Sequence, residues 1–234
     1  LNTIGGSLDR LIKKEKINAE NKQATLSNIS TTTALSDLAN VDIVIEAATE
    51  NEALKLDIFK QLDELCQPEA ILASNTSSIS LTRIAGVTSR AGQVIGMHFM
   101  NPVPLMELVE IVRGLSTSDA VVAAVEEESK ELGKTPVTVK DYPGFISNRV
   151  LMPMINEAVF CLMEGVSTRE GIDEIMKLGM NHPVGPLTLA DFIGLDVCVN
   201  ILDVLKGLVV GCLLFKGQFG HGVLQKRCLH HQCL

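Results

Sequence analysis

Asp42-Ile-Val-Ile-Glu-Ala47, then Glu52 to Leu65, then Ala70-Ile-Leu-Ala-Ser74, reads as strand, helix, strand. The first run is almost continuously apolar, as a strand covered on both faces must be. Between the strands, Leu54, Ile58, Leu62 and Leu65 recur at helical spacing and Pro68 stops the helix. Working outward, the chain predicts a short helix through Leu81 and Ile84, strands at Gln93 to Met100 and Glu107 to Val112, and a helix from Ser118 to Leu132. Strands alternating with helices indicate βαβ units and a largely parallel sheet. Upstream, Ile29-Ser-Thr-Thr-Thr33 is rich in β-branched residues and is expected to be another strand. Leu8, Leu11 and Ile12, with Lys13, Lys14 and Lys16, form an amphipathic opening helix that is basic on one side.

The pattern changes after Thr135-Pro-Val-Thr-Val139. Phe145 to Gly165, Thr168 to Leu178 and Leu187 to Leu205 carry helical periodicity with no strand between them, so a domain boundary is placed near Asp141-Tyr-Pro-Gly144. Ser167-Thr-Arg-Glu170 is a capping-box pattern for the middle helix. At 234 residues, 46% hydrophobic and 21% charged, the chain reads as a soluble globular protein of one or two domains. A net charge of -8 argues against nucleic acid or an anionic membrane surface as the main partner. The longest apolar run near the end, Gly207 to Phe215, is too short to span a bilayer, and the N-terminus has no basic-then-apolar signal. Six cysteines without a regular framework suit a reducing compartment with free thiols.

The chemistry centres on Gly96-Met-His-Phe-Met-Asn-Pro-Val-Pro-Leu-Met-Glu-Leu-Val-Glu-Ile-Val112. It sets His98 at the end of one strand and Glu110 on the next, and Asn101-Pro-Val-Pro104 is a rigid turn that returns the chain. A neutral imidazole oriented by a carboxylate takes a proton from an alcohol near neutral pH. Strands of an open α/β sheet bind ligands at their carboxyl ends, and Ala73-Ser-Asn-Thr-Ser-Ser78 leaves that edge as a run of small polar side chains. One cluster could thus hold Asn75, Ser77, His98, Asn101 and Glu110. On spacing alone a plainer alternative stands beside it: a satisfied core histidine, an edge-strand carboxylate and an ordinary helix cap.

Ser74-Asn-Thr-Ser-Ser78, His98-Phe-Met-Asn-Pro-Val-Pro104, Leu108-Val-Glu-Ile111, Asp141-Tyr-Pro-Gly-Phe-Ile-Ser-Asn-Arg149 and Gly185-Pro-Leu-Thr-Leu-Ala-Asp191 together resemble the L-3-hydroxyacyl-CoA dehydrogenases, most closely the 3-hydroxybutyryl-CoA type. The similarity runs in order from about Ser7 to about Leu205. It implies an NAD-dependent oxidation of L-3-hydroxyacyl-CoA to 3-ketoacyl-CoA in fatty acid metabolism and β-oxidation. His98 would be the general base and Glu110 its orienting carboxylate, while Ser77 and Asn148 would hydrogen-bond the substrate oxygen. Asn75 and Asn101 would lie near the nicotinamide, with Ser77 shared between cofactor and substrate, and Ala47, Glu50 and Lys55 would form a cofactor-contacting stretch. Ser7 and Lys14 would hold coenzyme A, for which a lysine suits a phosphate; a solvated helix face is the competing account of Lys14. The family's helical domain makes a homodimer, and Met152, Ile155, Val159 and Leu162 offer an apolar stripe for it.

The implied fold is α/β: an N-terminally truncated, Rossmann-type doubly wound sheet followed by an all-helical domain. Residues 1–140 would be the remnant of the NAD-binding domain, 141–205 the helical dimerisation and substrate domain, and 206–234 a divergent tail. No strand with a G-x-G-x-x-G turn opens the chain, as a dinucleotide fold requires. Weak NAD binding, impaired activity and an exposed apolar sheet edge are therefore expected. The tail gathers Cys212, Cys228, Cys233, His221, His230 and His231, and Cys228-Leu-His-His-Gln-Cys233 is a poor metal-site candidate, so no metal is assigned. A related dehydrogenase acting on a free hydroxy acid such as gulonate, and a non-catalytic dimerisation module, are the alternatives. The compartment stays open between cytoplasm, peroxisome and mitochondrion; His231-Gln-Cys-Leu234 is not a peroxisomal address.

Overall fold

The computed structural model describes residues 1–208. Residues Leu1–Asn40 form one compact unit and the described residues from Val41 onward a second. The predicted tail features, the glycine cluster at 217–222 and the Cys/His segment at 228–233, lie outside the described residues.

In the first unit, α1 (Asn2–Lys13) ends in Arg10 and Lys13, cations that suit the negative end of a helix dipole. Helix α2 (Ala19–Ser27) starts at Asn18, whose side chain accepts from Asn21 N while Asn21 returns a bond to Asn18 N. Lys22 Nζ meets Asp9 Oδ1 at 2.6 Å and ties the two helices. The strand expected at Ile29 to Thr33 is absent: these residues are coil, and all but Ile29 are exposed. A β-branched run becomes a strand only where a neighbouring strand and a packed face accept it, and none of the described strands pairs with this one.

The second unit opens with β1 (Ile43–Glu46), α3 (Glu52–Leu65) and β2 (Ile71–Ser74), the strand-helix-strand run that the sequence predicts. Asn51 starts α3 by accepting from Leu54 N at 3.0 Å. There follow α4 (Leu81–Ala85), β3 (Val94–Phe99), β4 (Leu108–Arg113), α5 (Asp119–Glu131) and β5 (Thr135–Lys140). The strands lie in the order β1-β2-β3-β4-β5. β1, β2 and β3 are parallel, β4 runs antiparallel to β3, and β5 runs parallel to β4. The carboxyl ends of β1 to β3 and the starts of β4 and β5 therefore share one edge. Within the described sheet β1 is an edge strand, with Ile45 exposed.

Alternation decides the faces. Ile95, Met97, Val109 and Ile111 pack with Val121 and Val125 of α5 in one buried cluster. Gly96, His98, Glu110 and Val112 fall on the other face, with Gly96 opposite Val112 and His98 opposite Glu110. Gly96 is needed there: a Cβ would sit 2.7 Å from Val112 Cβ and 3.2 Å from the Leu81 side chain. Leu81 is the first residue of α4, so this glycine lets the helix press onto the sheet beside the His98 position.

The helical part comprises α6 (Ser147–Met163), α7 (Arg169–Gly179), α8 (Pro186–Ile193) and α9 (Leu195–Leu208). The single helix expected from Leu187 to Leu205 is two, broken at Gly194. Thr168, one residue beyond the expected Ser167, caps α7 by accepting from Gly171 N at 3.1 Å. Met152, Ile155, Ala158, Val159, Ile172 and Leu187 are among the residues that build this part's own core. Met152, Ile155 and Val159 are thus buried inside the protomer, and Leu162, partly buried, packs against the same core. Among the described residues no helix is long and apolar enough to cross a membrane.

Candidate active site

The β3–β4 register sets His98 and Glu110 directly across from each other on one face, where side chains of paired strands meet. His98 Nδ1 lies 2.7 Å from Glu110 Oε2, and both residues are buried. With the carboxylate ionised, Nδ1 carries the proton that bridges them, which leaves the Nε2 lone pair as the basic site. The ring of buried Phe145 meets the imidazole edge-on, with centroids 5.6 Å apart and planes at 61°. Phe145 holds a φ of 49°, uncommon for a side chain of this bulk.

Glu110 is held from a second direction by the start of α6. Ile146 N and Ser147 N donate to Oε1 at 3.2 and 3.0 Å, and Ser147 Oγ donates to Oε2 at 2.7 Å. Burial pushes the Glu110 carboxyl up, but the bonds from His98 and Ser147 outweigh it, and the group titrates below its ordinary range. It is a fixed anion aimed at the imidazole.

Asn75 and Ser77 follow the carboxyl end of β2. Asn75 Oδ1 accepts from Phe99 N at 2.9 Å, one residue beyond His98, which leaves the Asn75 Nδ2 as the group on offer. Asn148 Nδ2 donates to Ser77 O at 3.2 Å and so ties α6 to this turn. Glu50 gathers the turn as well: its Oε1 accepts from Thr76 Oγ1 at 2.6 Å, from Ser77 N at 3.0 Å, and from Ser78 N and Oγ at 2.9 and 2.8 Å. Burial raises the Glu50 carboxyl, and these bonds, with the Lys55 charge, bring it below its ordinary value.

Lys55 is fully buried. Its ammonium donates to Glu46 Oε1 and Oε2 at 2.7 and 2.9 Å and to Ala48 O at 3.2 Å, with Glu50 Oε2 at 3.8 Å. In this arrangement Lys55 faces protein, and it acts on the edge through the 47–50 loop that it supports. Ala47 is exposed on that loop. Asn101 is exposed after β3 and bonds to none of the cluster. Ser7 accepts from Arg10 Nη2 at 2.9 Å, and Lys14 is the exposed C-cap of α1; both belong to the first unit. Among the described residues no group of His, Cys, Asp and Glu could hold a metal ion.

Sequence reasoning missed Glu46, Ser147 and Phe145. Glu46 accepts from Ser74 Oγ at 2.7 Å and from Ala48 N at 2.5 Å besides Lys55, so one carboxylate joins the ends of β1 and β2. Its signal was a charge inside the apolar run 42–47. Ser147 and Phe145 stood in the Asp141 to Arg149 motif, but only the fold shows that they meet Glu110 and His98.

The amino-terminal part of the chain, residues 1–142, matches the family model "3-hydroxyacyl-CoA dehydrogenase, NAD binding domain", and residues 144–212 match the family's C-terminal domain. The chain belongs to the 3-hydroxyacyl-CoA dehydrogenase family. A probable 3-hydroxybutyryl-CoA dehydrogenase of Deinococcus radiodurans is 57% identical over 202 residues, which cover 86% of this chain and 72% of that protein. The mitochondrial hydroxyacyl-coenzyme A dehydrogenase of Sus scrofa is 44% identical over 206 residues, 86% of this chain and 66% of that protein. The crystal structure of (S)-3-hydroxybutyryl-CoA dehydrogenase from Ralstonia eutropha superposes with a TM-score of 0.86 at 57% identity, covering 88% of this chain and 73% of that one. These dehydrogenases share with the chain a Rossmann-type sheet followed by a helical C-terminal domain, and the matched NAD-binding domain indicates NAD as cofactor. The strand ends fit the nicotinamide half of it. Small side chains (Ala47, Ala48, Ser77, Ser78) leave room there, the Asn75 amide suits a carboxamide, and the Glu50 carboxylate suits a ribose hydroxyl.

Proposed function

We propose that this chain is an NAD-dependent oxidoreductase that interconverts an L-3-hydroxyacyl-CoA, such as 3-hydroxybutyryl-CoA, and the 3-ketoacyl-CoA, a step of fatty acid β-oxidation. The observation that carries it is the His98 Nδ1–Glu110 Oε2 pair at 2.7 Å, fixed by Ser147 and facing the strand edge. His98 Nε2 takes the proton of the substrate hydroxyl, and Glu110 balances the imidazolium that results. NAD, when bound, would accept the hydride from the carbon that bears this hydroxyl, leaving the ketone. The Ser77 hydroxyl and the Asn148 amide hydrogen-bond the substrate oxygen, and the Asn148–Ser77 bond keeps the two in step. Asn75 and Asn101 line the nicotinamide end, while Ala47 and Glu50, the latter steadied by Lys55, meet the cofactor. Ser7 and Lys14 take the coenzyme A moiety.

The chain forms a homodimer through its helical part. Support for this comes from the exposed Ile175, Leu178, Met180 and Phe192, apolar side chains large for a solvated surface. Sedimentation equilibrium measures the mass directly.

Loss of NADH absorbance on mixing the purified chain with acetoacetyl-CoA tests the activity. Turnover is expected at a reduced rate, in keeping with the weak NAD binding expected above, and His98→Gln should lower kcat by about a further 10²- to 10⁴-fold, the contribution of a positioned general base. Equal turnover by His98→Gln would remove His98 from the mechanism, and turnover of free 3-hydroxy acids in preference to the thioester would overturn the substrate class.

A further inference from the structure

Helix α5 ends in a Schellman turn. Gly133 takes a left-handed φ of 71° and its N–H reaches Lys130 O at 2.9 Å, while Lys134 N reaches Ser129 O, also at 2.9 Å. The turn delivers Lys134 to the start of β5, where Thr135 N bonds Glu107 O at 2.8 Å. That is the sheet edge at which β3 ends and β4 begins, and the segment joining them, 101–107, carries the chain from His98 to Glu110.

This joining loop has little of its own to hold it. Leu105 N and Met106 N both bond Pro102 O, at 2.9 and 3.1 Å. Its residues are exposed, including three apolar ones: Val103, Met106 and, at 75% exposure, Leu105. The Lys134 ammonium closes the loop from outside, donating to Val103 O at 2.6 Å and to Met106 O at 2.9 Å. Among the described residues it has no carboxylate partner, so its charge is directed at these two carbonyls. Hydrogen bonds from a charged donor are shorter and stronger than neutral ones. A pair of them, straddling the turn, fixes the distance between Val103 and Met106.

We propose that Lys134 is a positioning residue that clamps the 101–107 loop beside the His98 site and thereby sets the affinity for the acyl-CoA. A clamped loop keeps Asn101 and the apolar side chains of Val103, Leu105 and Met106 standing at the strand edge, where an acyl chain can lie against them. An unclamped loop spreads over many conformations, and substrate binding must then order it. The link to acyl-CoA rests on the dehydrogenase reading above; the clamp itself does not.

The test uses the full chain with Lys134→Met, Lys134→Gln and Lys134→Arg. Hydrogen exchange followed by mass spectrometry should show the 101–107 amides exchanging about tenfold faster in the Met and Gln variants, with β4 unchanged. The Arg variant, which retains paired donors, should restore protection. In steady state, KM for acetoacetyl-CoA should rise about tenfold with kcat within about twofold, the signature of lost binding rather than lost chemistry. Unchanged exchange in both neutral variants overturns the clamp whatever the activity. Faster exchange with unchanged KM, or kcat falling as far as KM rises, overturns its role in substrate affinity. A parent protein that exchanges as expected but turns over no acyl-CoA would instead refute the dehydrogenase reading and leave the clamp standing.

Discussion

Glu110→Gln isolates the charge of the orienting carboxylate. The side chain keeps its shape, and its remaining oxygen still accepts from Ile146 N and Ser147 N, which reach Oε1 at 3.2 and 3.0 Å in the parent. The amide nitrogen then replaces Oε2, which in the parent takes His98 Nδ1 and Ser147 Oγ, both at 2.7 Å. An N–H facing Nδ1 makes that nitrogen an acceptor, moves the imidazole proton to Nε2 and so removes the base. The variant also loses the anion that balances the imidazolium. With centres of charge about 4 Å apart and an effective dielectric of about 20, that attraction is about 4 kcal/mol. At about 1.4 kcal/mol per decade, kcat should fall by about 10³-fold. Acetoacetyl-CoA reduction followed by NADH absorbance, with thermal unfolding as a control for the fold, reads the effect. KM should move little, because the proposed substrate contacts lie on Ser77 and Asn148. A Gln variant within about fivefold of the parent kcat would show that the carboxylate is structural and that proton transfer does not depend on its charge.

Acid stability should report the same group. Because Glu110 titrates below its ordinary 4.5 in the fold, it adds stability that is fully present above the unfolded pKa and is lost as pH falls through the lower, folded one. The urea midpoint of the parent should therefore drop more steeply below about pH 4.5 than that of Glu110→Gln; parallel curves would refute this. Lys55→Met leaves Glu46 as a buried carboxylate without its cation, still held by Ser74 Oγ and Ala48 N, and should cost about 3–5 kcal/mol in urea unfolding, with Glu46→Gln/Lys55→Met recovering part of it. Equal losses in the single and double variants would show that the ion pair is not the cause. Gly185→Ala would put a Cβ 2.2 Å from Asp173 Cγ, displacing the carboxylate that accepts from Leu187 N and Thr188 N at the start of α8. A loss of about 1–3 kcal/mol is expected by calorimetry, and an unchanged Tm would mean that the site yields without strain.

The sheet was legible where apolar runs were long and bounded. The run from Asp42 to Ser74 reads correctly because strand and helix periods differ and Pro68 marks the stop. The facing of His98 and Glu110 was legible too, since the Asn101-Pro-Val-Pro104 turn implied a hairpin-like return. Ile29 to Thr33 misled because β-branching records a preference for a packed sheet surface, not the presence of one. Helix α2 was missed because Ala-Glu-Asn-Lys-Gln-Ala-Thr-Leu-Ser has no apolar stripe, and only the Asn18 and Asn21 spacing announced its start. The Met152, Ile155 and Val159 stripe was a sound helix face assigned to the wrong neighbour, because periodicity shows that a face is covered without saying by what. At the site, residue types pointed to a base and its carboxylate. Ser147, thirty-seven positions from Glu110, came within reach only through the fold.

Glu110 sits on a strand, yet three of its four hydrogen bonds come from Ile146 and Ser147 at the threshold of the helical part. Asn148, one residue on, reaches across to Ser77 in the same way. The proposed proton-transfer pair is therefore tied to docking: the strand register sets the two residues opposite each other, but the bonds that fix the Glu110 carboxylate hold only while the first turn of α6 is seated against the sheet. A substitution deep in the helical core that tilts α6 would reach the imidazole as a misaimed carboxylate. Mutations far from any substrate can in this way behave as defects in acid–base chemistry.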